Sequence, residues 1–280
     1  MPTELVLSDT TDDGITTLTM NNPRRLNGWT MEMLDALERA MTRASDDDAT
    51  KALILTGAGD YYCAGVNLGA SLTPEHPAKL HGFIIERNQA LFETYLSFPK
   101  PILVAANGPA IGASVTSATL CNGIVASERA TFSTPFHRLG VTPEGCSSVV
   151  FPRLLGEDAA QRMLGPQGWA PTGEEAVEIG LAMKCVPHDD LMEEARAICR
   201  GWIAAGVGRT FPLGMTREEL EKINARESRE LATAFMQPKF LMGQYRFLWS
   251  KKKRPLALMF LALAKTQPAW GRLLPVEARP

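Results

Sequence analysis

A chain of 280 residues, 45% of them hydrophobic, can bury one large core or two modest ones and needs no staple to stay folded. A formal net charge of −2 gives no basic face for nucleic acid. The five cysteines and four histidines lie scattered with no CxxC pair, so neither a disulfide framework nor a metal site is expected. The acidic start MPTELVLSDTTDD lacks the apolar run of a signal peptide, and the longest apolar run, residues 256–264, is too short to span a bilayer, so a cytoplasmic protein is expected.

In chain order, residues 4–7 and 15–20 flank the turn Asp12-Asp13-Gly14 and predict a hairpin. Thr30 predicts the cap of a helix whose Met33, Leu34, Leu37, Ala40 and Met41 fall on one face. ALILTGAG (52–59) reads as a buried strand running out into glycines. A helical stretch over 78–98 carries Leu80, Phe83, Ile84, Leu91, Phe92 and Leu96. PILVAANGPAIGASVTSATLCN (101–122) predicts a strand, a glycine-bearing turn and a helix of small residues. Helical patterns then cover 146–165, 173–180 and 189–205, with a short apolar piece at 182–186. This is α/β alternation over residues 1–205, followed by a helical region over 206–280. Within the latter, Lys251-Lys252-Lys253-Arg254 reads as a solvated helix end or as a contact for ligand phosphates, and residues 268–280 as a loose tail.

Two turns, GAGDYYCAGVNL (57–68) and NGPAIGAS (107–114), each follow a buried strand. Each can leave backbone N–H groups outside any ladder, and two such groups converging on one point would make an oxyanion hole; ordinary strand-to-helix turns are the alternative. Neither turn has the lysine of a P-loop or GxGxxG spacing. In GVTPEGCSS (140–148), Glu144 is the sole charged residue. It is either a catalytic acid or merely the first turn of a helix, with Thr142 as N-cap and Pro143 at the first helical position.

The order NNPRRLNGW, YYCAGVNL, KPILVAANGPAIGASVT with LCN, then ATFSTPFHRLGVTPEGCSS, resembles the crotonase (enoyl-CoA hydratase/isomerase) superfamily over roughly residues 4–205. The resemblance implies a crotonase (ClpP-like) α/β spiral of ββα units with a helical C-terminal trimerisation region, a homotrimer or dimer of trimers, and a site for acyl-CoA in fatty-acid metabolism. Coenzyme A is then part of the substrate, and no separate cofactor is implied. By position, the oxyanion-hole amides would be those of Val66 and Ala113, flanked by the substrate-binding residues Ala64, Gly65, Asn67, Leu68, Gly112 and Phe136. Arg24 and Arg25 stand where relatives carry basic residues near the CoA phosphates. Asn67 stands where relatives usually carry Asp.

Hydratases of this superfamily use two glutamates, and those positions hold Thr116 and Phe136 here. Neither can act as a carboxylate base, which disfavours simple hydration. The segment around Glu144 is similar to that of peroxisomal-type Δ3,Δ2-enoyl-CoA isomerases, in which the glutamate of the PEG step is the base. The resemblance therefore implies a Δ3,Δ2-enoyl-CoA isomerase with Glu144 as its base, in a neighbourhood of Phe132, Phe136, Leu139 and Val141 that excludes water. Alternatives are a hydratase-like lyase of the same fold and a catalytically silent acyl-CoA-binding protein. His137, Cys63 and Cys146 lie close in sequence but are not expected to take part in the chemistry.

Overall fold

The computed structural model describes residues 4–66 and 75–278. The predicted hairpin forms from β1 (Val6–Thr10) and β2 (Ile15–Met20), paired antiparallel. Helix α1 (Met31–Asp46) begins where Thr30 Oγ1 accepts the Met33 N–H at 3.3 Å. Next come β3 (Ala52–Gly57) and α2 (Pro77–Leu96), then β4 (Ile102–Ala106), the short β5 (Ala110–Ile111) and α3 (Ala113–Thr119). The motif repeats with β6 (Gly123–Ser127), the short β7 (Phe132–Ser133) and α4 (Phe136–Leu139). Helices α5 (Ser147–Leu155), α6 (Glu157–Leu164) and α7 (Gly173–Glu178) lead to β8 (Lys184–Val186) and α8 (Leu191–Ala204). Helices α9 (Arg217–Phe235), α10 (Pro238–Ser250) and α11 (Arg254–Trp270) follow, with two 3-10 turns after them.

Each pass of the chain gives one long strand to a six-stranded sheet, ordered β1-β2-β3-β4-β6-β8 and parallel from β2 onward. Each pass then gives a short segment to a second layer, where β5 pairs with β7 and Cys63 bridges Ala110. Both faces of the central strands β3, β4 and β6 are covered, so these strands read as near-continuous apolar runs rather than alternating ones. Ile54, Leu103, Ala105 and Val125 face α8 with its Leu191, Ala195 and Cys199. Leu53, Leu55, Val104 and Ile124 share the opposite core with α1, α2 and α3.

Two expectations need correction. The single helix predicted over 146–165 is two helices broken at Gly156, whose φ of +82° is a conformation glycine adopts without a Cβ penalty. Residues 268–278 are not a loose tail. Pro268 lies inside α11, and Leu274 and Ala278 are buried against the cluster formed by α9, α10 and α11. Among the described residues, no helix is long and apolar enough to cross a membrane.

Asn27, inside the NNPRRLNGW stretch, is fully buried with φ +53°, a left-handed conformation that asparagine tolerates better than most residues. Its Oδ1 accepts the Asn22 N–H at 2.9 Å, and its Nδ2 donates to the carbonyls of Ala58 at 2.9 Å and Tyr61 at 2.7 Å. The side chain thus locks the turn before α1 to the turn after β3. Asn27→Ala would leave buried backbone groups without partners, each costing about 1–3 kcal/mol. Urea unfolding of this variant is expected to show a loss of at least about 2 kcal/mol.

Candidate active site

Two loops after neighbouring strands are laced together. The Cys63 N–H donates to Pro109 O at 3.2 Å and the Ile111 N–H to Cys63 O at 3.0 Å. Ser114 Oγ reinforces the crossing by donating to Cys63 O at 3.1 Å. Contact is so close that a Cβ on Gly65, at φ +76°, would lie 2.4 Å from Ile111 O. On the far side, the Trp29 N–H donates to Gly65 O at 2.8 Å, which ties this loop to the start of α1. Gly112 caps α3 with φ +63° and ψ −126°, and its N–H is held by Ser133 O at 2.7 Å.

The crossing occupies the N–H groups of Cys63, Ile111 and Gly112 but not those of Val66 and Ala113 just past it. Among the described residues, the N–H groups of Val66 and Ala113 have no acceptor. Ala113 is the first residue of α3, so its N–H belongs to the set that no helical carbonyl can reach, and the helix dipole adds positive potential there. Val66 and Ala113 line the same cavity, of about 180 Å³.

That cavity is almost wholly apolar. Ile84 and Leu91 from α2, Phe136 and Leu139 from α4, and Leu231 and Phe235 from α9 form much of its wall. Glu144 lines it too, only 8% exposed, and no hydrogen bond reaches its carboxyl group among the described residues. Burial, with a smaller contribution from the negative charge of Glu227, raises the Glu144 carboxyl from the ordinary 4.5 to about 8. Thr116 is fully buried, its hydroxyl turned back to Ala113 O at 3.3 Å. A carboxyl that exchanges a proton near neutrality therefore faces a cavity that also carries two unspent N–H groups.

The helix-start reading of Glu144 fails. Helix α5 begins at Ser147 with Cys146 as N-cap, so Glu144 lies outside the helix and Thr142 does not cap it. Thr142 Oγ1 is in fact buried without a partner among the described residues. The physical reason is the pair Gly145 and Cys146, both left-handed at φ +64° and +66°, which turn the chain sharply before the helix can begin. A Cβ on Gly145 would meet Phe92 Cε1 at 2.4 Å and Thr116 Oγ1 at 2.5 Å, so the turn is pressed against α2 and α3.

Of the other residues singled out in the sequence, Ala64, Gly65, Gly112 and Phe136 line the cavity, with Val141 beside them. Phe132 does not. It is fully buried in β7, within the main core. Arg24 and Arg25 are exposed in a single 3-10 turn and are not part of the cavity wall. Asn67 and Leu68 lie outside the described residues. His137 is exposed, and burial pushes the Cys63 thiol up to about 12. The basic run sits at the exposed junction of α10 and α11, where Arg254 stacks over Trp249 at 3.9 Å. Among the described residues, no group of three or more His, Cys, Asp or Glu side chains is gathered as metal ligands.

Glu227 in α9, which the motif reading passes over, is wholly buried against the turn that carries Glu144. Its Oε2 accepts the Cys146 N–H at 2.6 Å and its Oε1 the Ser148 N–H at 2.9 Å. A signal was present in the sequence. Leu220, Asn224, Glu227 and Leu231 recur at helical spacing on one face, all of them buried, so a carboxylate sits in an apolar stripe.

Residues 10–253 match the family described as enoyl-CoA hydratase/isomerase. The chain is 34% identical over 254 residues to enoyl-CoA delta isomerase 2 of Homo sapiens, a match covering 87% of this chain and 63% of that protein. It is 30% identical to the peroxisomal enoyl-CoA delta isomerase 3 of Mus musculus, over 88% of this chain and 79% of that one. Among solved structures, the enoyl-CoA hydratase/isomerase from Pseudoalteromonas atlantica T6c superposes with a TM-score of 0.72 at 25% identity, over 88% of this chain and 97% of that one. This chain therefore spans less than two thirds of the human relative's length. With its spiral of two-layer strand units and its helical C-terminal region, the chain belongs to the enoyl-CoA hydratase/isomerase family and has the crotonase fold.

Proposed function

We propose that the protein is a Δ3,Δ2-enoyl-CoA isomerase in which Glu144 is the acid-base residue and the amides of Val66 and Ala113 hold the thioester oxygen. The observation that carries this reading is a single buried carboxyl sharing an apolar cavity with two unspent backbone N–H groups. In the proposed reaction, Glu144 removes a proton from C2 of a 3-enoyl thioester. The C2–H electron pair moves into the C1–C2 bond, and the thioester oxygen takes up the negative charge, which the two N–H groups stabilise. As the C–O electrons return, the allylic system shifts, C4 takes the same proton from Glu144, and the product is the 2-enoyl thioester. Protons and electrons balance with no added water or cofactor.

The environment supports this assignment. A carboxyl near pH 8 is a stronger base than an ordinary glutamate and still a competent acid, as a residue that takes and returns one proton requires. Thr116 and Phe136 offer no second carboxylate to activate water, which argues against a hydratase. Relatives named as enoyl-CoA delta isomerases lend further support. We also assign self-association, as a trimer or dimer of trimers, to the C-terminal helices, where Phe247, Trp249 and Leu258 expose apolar surface.

Isomerase activity on a medium-chain 3-enoyl-CoA, with product drawn off by a coupled hydratase and dehydrogenase, tests the assignment. Wild type should turn over at a rate that rises with pH through about 8, as Glu144 ionises. Glu144→Gln should lose at least about a hundredfold in kcat. An inactive wild type that still binds acyl-CoA would replace the isomerase with a binding protein.

Stability should vary with pH in a matching way. The folded state binds the Glu144 proton more tightly than the unfolded chain, so stability erodes as pH rises from about 4.5, where the unfolded carboxyl ionises, to about 8. Glu144→Gln removes that penalty. Urea unfolding over a pH series should find the variant gaining on wild type across this window, by a few kcal/mol at its upper end.

A further inference from the structure

The turn that carries Glu144 is strained at its next-but-one residue. Cys146 is not glycine yet holds φ +66°, a conformation that costs of order 1–3 kcal/mol and persists only where the surroundings impose it. Glu227 is bonded to the backbone there. Its two carboxylate oxygens grip the N–H groups of Cys146 and Ser148, so the carboxylate closes the exposed N-terminus of α5 from outside the helix. Other contacts from α9 keep Glu227 in place. Cys146 Sγ donates to Leu220 O at 3.3 Å, Arg226 Nη2 donates to Ser148 Oγ at 2.9 Å, and Asn88 Nδ2 of α2 donates to Ser228 Oγ at 3.0 Å. Asn88 and Leu231 line the cavity, so these bonds also fix part of its wall.

We propose that Glu227 is a positioning residue for Glu144: it holds the Gly145-Cys146 turn in its left-handed form and supplies the negative field in which the Glu144 carboxyl exchanges its proton. This inference rests on the isomerase reading for its kinetic consequence but not for its structural one. An external cap that only stabilised α5 could equally be a neutral acceptor. A buried carboxylate in this place adds a charge next to the acid, which favours the protonated form of Glu144.

Few other charges compete in this neighbourhood. On α2, Arg87 lines the cavity, loosely paired with Asp35 at 3.9 Å and lying over the Phe83 ring. Arg226 is half-exposed and shared with Glu230 at 3.7 Å. His137 and Arg138 of α4 are exposed, α3 presents Thr116, and the Cys146 thiol is held neutral by burial.

The test is Glu227→Gln, which keeps one acceptor and removes the charge. Its kcat should fall about tenfold with KM within about twofold, and the pH limb of kcat should move acidward by about one unit, since a like charge has been taken away. An unmoved limb accompanied only by lower stability would make Glu227 a helix cap and overturn the proposal. Carboxyl-carbon NMR of 13C-glutamate-labelled protein gives a second measurement that needs neither activity nor a folded Glu227 variant. In wild type the Glu227 resonance, told apart from that of Glu144 by its persistence in Glu144→Gln, should titrate at lower pH than the Glu144 resonance, so that its charge is in place when Glu144 exchanges its proton. A Glu227 carboxyl that still holds its proton when Glu144 loses its own would supply no charge and would reject the inference, whereas an inactive wild type with Glu227 ionising first would reject only the isomerase reading.

Discussion

The close crossing of the 63–65 and 109–112 segments is the constraint on which the site depends. Each segment leaves a buried strand of the same parallel sheet, and they approach until Gly65 sits where any side chain would strike Ile111 O. Backbone hydrogen bonds spent on the crossing leave Val66 and Ala113 just past it with N–H groups that have no acceptor among the described residues. Unpaired amides are normally a cost in a folded protein. Here part of that cost falls at two positions on a cavity wall, where an oxygen from a ligand can repay it. Asn27 and Ser114 serve the same crossing from either side, one by locking the turn before α1 and the other by bonding Cys63 O.

A second constraint is the burial of two carboxyl groups near one another. The Glu144 carboxyl has apolar neighbours and no hydrogen bond among the described residues, so burial favours its neutral form. Glu227 is as deeply buried, and burial raises its carboxyl to about 7, but the two backbone N–H bonds it accepts at the head of a helix favour its charged form and hold it below Glu144. Similar residues thus acquire different roles through their surroundings. One exchanges a proton in an apolar cavity, and the other holds backbone in place.

α9 links these two constraints. Leu220 packs in the core shared with the sheet, Glu227 grips the turn before α5, and Leu231 and Phe235 wall the cavity. A helix beyond the α/β part thereby becomes a wall and a brace for a site whose loops all come from before residue 150. Division of the chain near residue 206 separates regular patterns in the sequence, yet the site is built from both sides of it.

Much of this was legible in the letters. Buried strands of β-branched and aliphatic residues, glycines placed directly after two of them, and the Thr30 cap follow from local sterics and periodicity, which need only near neighbours. The lone charge of Glu144 in an uncharged stretch marked it as unusual, although local capping rules suggested a helix start that the left-handed Gly145-Cys146 pair prevents. Only tertiary structure decided which amides stay unpaired, because that depends on hydrogen bonds between segments more than forty residues apart. It alone placed Phe132 in the core and Phe136 on the cavity wall, two aromatics four residues apart with no local difference to separate them. It alone brought Glu227 to Cys146, since a charge in an apolar stripe announces burial but not its partner. Sequence sets conformational preferences over a few residues; the proton affinity of a buried acid is set by the desolvation and charge of everything packed around it.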